Sequence, residues 1–154
     1  MELIQNSDPS SPNANRVNRI MEELQREVLL PLELSPNVIC RNLYDTLQLP
    51  WDVEPPVTAF DDAQFVRIEW DRDGVLSNGK DFLGGSHDIS LDALQEGYGT
   101  GSTVTRWRAA HPDLANTVED CVVRTIQKIR QEMGPGEGKI RGNLSTALLL
   151  FKRV

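Results

Sequence analysis

The chain has 154 residues, 39% of them hydrophobic and 25% charged, with a formal net charge of −7. One domain is the default at this length, large enough for a core without staples, and the composition is ordinary for a globular protein. No apolar run approaches the ~20 residues of a membrane span, so no membrane partner is expected.

The N-terminal residues show no basic region followed by an apolar block, and a cytoplasmic location is the expectation. Cys40 and Cys121 have no C-x-x-C spacing and read as reduced thiols. With two cysteines and two histidines, a structural zinc site has barely enough ligands, and neither metal nor cofactor is expected. The charge is uneven: residues 1–102 carry 18 acidic and 7 basic side chains, residues 103–154 carry 5 and 9. Such asymmetry can mark a nucleic-acid face, or simply bases gathered near a helix C-terminus.

In chain order, residues 1–14 read as a flexible polar tail and residues 15–154 as a single globular domain. Val17, Ile20, Met21, Leu24 and Val28 recur at helical spacing until Pro31. Ser35-Pro36 starts a second helix that runs to about Gln48, with Val38, Ile39, Leu43 and Leu47 inward. A proline-rich loop follows. Val66, Ile68 and Trp70 then alternate with Arg67 and Glu69 as in a strand, with Val75-Leu76 as a return strand after "DRDG".

"SNGKDFLGGSHD" is rich in turn residues, and Ser90 can cap a short helix ended by Gly97. A second short helix spans Ser102–Ala110. The longest helix is expected over 113–133, opened by Pro112 and stopped by Gly134-Pro135-Gly136. Leu114, Val118, Cys121, Val122, Ile126, Ile129 and Met133 form its apolar stripe, with Asp120 and Arg124 as an i,i+4 pair. "EGKIRGN" reads as a loop. The last apolar run, 144–152, is a strand or a helical turn, its shortness favouring the strand. The expected class is therefore α+β: two N-terminal helices, a small antiparallel sheet at about 57–82, and a helical C-terminal half with a final strand.

Several strings suggest chemistry. Asp71-Arg72-Asp73-Gly74-Val75-Leu76 resembles the first motif of haloacid-dehalogenase-type phosphatases, which implies a nucleophilic Asp71 beside a divalent metal. A hairpin turn also wants Asp and Gly there, and too few βα units follow for that fold. Asp71, Asp73, Asn78 and Asp81 miss the EF-hand spacing. Ser86, His87 and Asp88 are consecutive, which does not make a triad. "GPGEGK" departs from a phosphate loop in spacing and context.

The stretch "ISLDALQEGYGTGSTVTRWRAAHPDL", residues 89–114, resembles the helix-turn-helix of DNA-binding proteins. The likeness is strongest to phage packaging and transposition types, in which STVxRW runs into a P-[DE]-[LF] helix start. It implies that Leu91, Leu94, Val104 and Trp107 pack inward and that Ser102 caps the second helix. Arg106 then faces a major groove with Ser102, Thr103 and Thr105, and Arg108 meets phosphate. Lys139 and Arg141 complete the candidate basic face. The turn is one residue longer than the family's.

The expectation is a non-enzymatic binding or assembly protein that contacts double-stranded DNA through segment 90–110. The alternative is an acidic adaptor, accessory subunit or viral structural component that binds a protein partner or itself. A metal-dependent enzyme using Asp71 and Asp73 comes third.

Overall fold

The computed structural model describes residues 6–7, 13–70, 72, 87–136, 138–143 and 145–153. Helix α1 (Ala14–Glu23) places Val17, Ile20 and Met21 on one buried face, as their spacing requires. It continues as a π-helical segment, Leu24–Leu29, in which the Leu30 N–H reaches back five residues to the Gln25 carbonyl. A 3₁₀ turn over Leu30–Leu32 contains Pro31, and the helix ends there.

Helix α2 (Ser35–Arg41) is shorter than expected. It stops because Leu43 and Tyr44 take left-handed backbone, φ 51° and 66°, and the Tyr44 N–H closes the helix end on the Ile39 carbonyl. Of the side chains expected inward, Leu43 is buried, Val38 and Ile39 are half-buried, and Leu47 is exposed.

The fold is α+β, with two small antiparallel sheets. Strand β2 (Val66–Trp70) pairs in register with the last strand, β5 (Thr146–Leu150), so the short apolar run at the C-terminal end is a strand. The small antiparallel sheet expected around 57–82 thus includes a partner from the other end of the chain. Val75 and Leu76, and with them Asp71, Asp73, Asn78, Asp81 and Ser86, lie outside the described residues. The alternation in β2 holds, yet its apolar side is the more open one: Val66 is 45% and Ile68 38% exposed. The reason is on the other face. There Arg67 and Arg72 pair with Glu69 and with Asp45, carried in by the turn after α2. The Arg72 guanidinium holds the Asp45 carboxyl below the usual range. Around the end of this ladder the rings of Trp51, Phe60, Phe65 and Phe151 meet, with centroids 5.2–6.3 Å apart.

The second sheet has the order β1–β4–β3, built from Asn6–Ser7, Lys139–Asn143 and His87–Ser90. Two expectations are corrected here: "EGKIRGN" is largely a strand rather than a loop, and His87-Asp88 are strand rather than turn residues. Asn6 and Ser7, in the segment expected to be a free tail, pair with Asn143 and Gly142.

Ser90 Oγ caps helix α3 (Leu91–Gly99) by accepting the Ala93 N–H, as its sequence position suggests, and α3 runs past Gly97 to Gly99. Helix α4 (Ser102–Ala110) follows. The long helix, α5, spans Cys121–Met133 and not 113–133. Residues 112–119 form successive turns, with Asn116 at φ 61°, and Asp120 caps the helix by accepting the Val122 N–H. Leu114 and Val118, expected on the buried stripe, are therefore 38% and 66% exposed. Gly134 and Gly136 end α5 at positive φ, as read from the sequence.

One core joins these parts. Val17, Leu24 and Leu29 meet Leu91, Leu94 and Tyr98 of α3, Val104 and Trp107 of α4, Val122, Ile126 and Ile129 of α5, and Ile140 of β4. Each large aliphatic side chain fully buried there contributes about 1.5–3 kcal/mol. Among the described residues, no helix is long and apolar enough to cross a membrane.

Candidate functional site

Helix α4 forms where it was expected, with Val104 and Trp107 buried. Its cap is Gly101 and not Ser102, whose hydroxyl instead accepts a hydrogen bond from Asn37 Nδ2 at 3.0 Å. The two arginines do not face a polyanion. Arg106 donates to the Leu32 carbonyl at 2.6 Å and to Asn37 Oδ1 at 2.7 Å. Asn37 Oδ1 also accepts the Leu34 N–H, so this one amide ties α2 to α4.

Arg108 is held more tightly. Its Nε lies 2.7 Å from Asp120 Oδ2, its Nη1 donates to the Gly99 carbonyl, and Asp120 is 0% exposed. The carboxylate also accepts the N–H groups of Asn116 and Val122. Burial pushes its pKa up, but the Arg108 guanidinium and these two N–H groups outweigh that and hold it below the usual carboxylate range.

The remaining predicted contacts are dispersed. Thr105 Oγ1 donates back to the Gly101 carbonyl, and Thr103 is half-buried. Lys139 and Arg141 lie on the outer face of β4, with Ile140 between them turned into the core. On α5 the expected Asp120–Arg124 pair is not made, because Asp120 belongs to Arg108. Arg124 meets Glu119, Lys128 meets Glu23, and Arg130 meets Asp92.

What the structure brings together instead is an open cleft of about 290 Å³ between α1 with its π-helical continuation, α4 and α5. Ile20, Leu24, Val28, Trp107 and Leu114 supply its apolar lining, and Glu23, Glu27, Glu119, Arg124 and Lys128 its charged lining. Trp107 is stacked on His111, with centroids 4.5 Å apart. His111 Nδ1 sits 2.9 Å from the Trp107 carbonyl, so in the neutral ring that nitrogen carries the hydrogen. Cys121, also on the wall, is an inert thiol: burial and the neighbouring Asp120 push its pKa up to about 11. No group of metal-ligating side chains occurs among the described residues.

No family model matches the chain, and no curated protein sequence matches it. A solved structure does. It is a chain from Anaeromyxobacter dehalogenans provisionally described as a type II methyltransferase, 19% identical, with a TM-score of 0.51. The match covers 96% of the present chain and 47% of that one, so the present chain spans about half the length of the solved structure.

At this identity the likeness shows the fold alone. It nonetheless corrects the expectation of a non-enzymatic protein, because the fold occurs in a protein described as an enzyme. The reading as a non-enzymatic DNA-contact, adaptor or structural protein falls with it. Asn37, Asp120 and the cleft were missed in the sequence. Of these, Asp120 had a readable signal, an aspartate immediately before an apolar helical run.

Proposed function

We propose that the chain forms one part of a methyltransferase. The observation that supports this is the fold correspondence with the Anaeromyxobacter dehalogenans structure along nearly the whole chain. A methyltransferase implies a methyl donor, and the described residues do not fit one of the usual nucleoside-bearing sulfonium type. Nucleotide-like ligands of open α/β sheets sit beyond the carboxyl ends of parallel strands, at a strand-to-helix turn. Every strand ladder described here is antiparallel. Among the described residues, the glycine-rich runs join a helix to a helix, at Gly97–Gly101, and a helix to a strand, at 134–138. The cleft, about 290 Å³, lies at the lower edge of the roughly 300–1,000 Å³ of small-molecule sites and is open to solvent. No step is therefore assigned to residues of this chain.

The test is methyl transfer from tritiated S-adenosylmethionine to a panel of nucleic-acid, protein and small-molecule acceptors. It uses the chain isolated with its native associates. Transfer that disappears when the chain is deleted supports the reading; transfer that is absent, or unchanged by the deletion, overturns it. The two free cysteines fit a reducing compartment, and we read the location as cytoplasmic.

A further inference from the structure

We propose that the cleft between α1, α4 and α5 docks a basic amphipathic helix of a protein partner, an interaction that stands independently of the methyltransferase reading. Its apolar part comes from two places. Ile20, Leu24 and Val28 run as a ridge along α1 and its π-helical continuation, and Trp107 joins them from α4. The turns over 112–119 add Leu114 at the wall, 38% exposed, and Val118, 66% exposed, directly before the lining Glu119. Large aliphatic side chains held open at the mouth of an apolar cleft are what the apolar stripe of a docked helix covers.

The charges select the occupant. Three carboxylates, Glu23, Glu27 and Glu119, line the cleft against two cations, Arg124 and Lys128. Both cations already meet carboxylates, Lys128 with Glu23 and Arg124 with Glu119, each at 3.6 Å and between side chains 40–58% exposed. Open pairs of this kind hold weakly, so an incoming lysine or arginine takes over a carboxylate while the displaced cation returns to water. Glu27 adds an exposed carboxylate about one helical turn from Glu23. The whole chain carries −7, which draws a cationic segment inward and repels an anionic one. A helix suits the cleft because its stripe at i, i+4 and i+7 lies along the α1 ridge while its basic flank reaches the carboxylates.

Fluorescence anisotropy of labelled helical peptides, titrated with the 154-residue chain, tests this. One peptide carries a leucine stripe flanked by lysines, a second the same stripe flanked by glutamates, and a third the lysine flanks with a serine stripe. The first is expected to bind at least about tenfold more tightly than either of the others, and less tightly as salt rises. Leu114→Asp and Glu27→Lys should each weaken it about tenfold. Glu96→Lys, on the exposed side of α3 and with the same change in net charge, should leave it within about twofold. All three positions are exposed, and an unchanged urea midpoint verifies that each variant is folded. Equal affinity for the lysine and glutamate peptides overturns the proposal, as do equal losses from Glu27→Lys and Glu96→Lys, or no saturable binding. A dimer in sedimentation equilibrium that Leu114→Asp dissociates gives the cleft to a second copy of the chain and also overturns it. Methyl transfer is read in none of these measurements, so their failure leaves the methyltransferase reading standing.

Discussion

Arg108 and Asp120 meet at 2.7 Å where α4 turns toward α5, the carboxylate fully enclosed and the guanidinium partly open. This pair fixes both the start of α5 and the direction of Arg108. Removing one partner of such a pair leaves the other without compensation, at a cost of about 3–5 kcal/mol. Arg108→Ala should therefore lower the urea midpoint by the equivalent of about 3 kcal/mol. Arg108→Lys should recover little of it, since a single ammonium cannot serve the carboxylate and the Gly99 carbonyl together.

The same carboxylate sets an acid limb. Its pKa is lower in the folded protein than in the unfolded chain, so its contribution is complete above the unfolded value of about 4 and fades as pH drops through the folded one. Asp45, Asp61 and Glu69 are shifted in the same direction and add to the limb. Wild-type stability should fall below about pH 4, and the gap between wild type and Asp120→Asn should narrow there. A gap constant from pH 7 to pH 2, roughly the span of this titration, would refute the assignment.

Arg106→Ala is expected to act on stability rather than on nucleic-acid affinity. It removes two charge-assisted hydrogen bonds and leaves the Leu32 carbonyl short of a donor, a loss of about 1.5–3 kcal/mol. Asn37→Ala should be partly redundant with it, because both act through one contact. A double-mutant cycle in urea checks this, and strict additivity would count against the Asn37 link.

Cys121 should be silent to a thiol reagent in the native state. With its pKa near 11, roughly one part in a thousand is thiolate at pH 8. Ellman titration should show Cys40 reacting first and Cys121 reacting only on unfolding. Rapid reaction of both would mean that the α5 N-terminus opens readily.

Core and ladder should respond unequally. Ile129→Ala, at a fully buried position, should cost about 2–5 kcal/mol. Ile68→Ala, on the open face of β2, should cost less than about 1 kcal/mol, and equal costs would place the core wrongly.

The parts of the fold that local chemistry decides were legible in the residues. The 3.6-residue period of Val17, Ile20 and Met21 gave α1, the Ser90 hydroxyl gave the start of α3, and Gly134-Pro135-Gly136 gave the end of α5. Val104 and Trp107, three apart, gave the buried side of α4. What failed depended on partners distant in sequence. Nothing in "VRIEW" says that its neighbour is "TALLL" at the other end of the chain, and "KIRGN" becomes a strand only because β1 and β3 flank it. The site was harder still. An arginine opposite a buried valine looks the same whether it meets a phosphate, Asn37 or Asp120. For Arg108 that choice was made by the turns over 112–119, which the helical stripe had concealed, and for Arg106 by the placing of α2.

Among the described residues, the aromatic cluster of Trp51, Phe65 and Phe151 stands apart from the main core, with Asp45, Arg67 and the residues after α2 linking it to the body. The β2–β5 ladder is therefore expected to open as a cooperative unit of its own. Its amides should exchange with solvent through an opening that leaves α1, α3 and α5 protected, giving the molecule two classes of hydrogen-exchange protection instead of one.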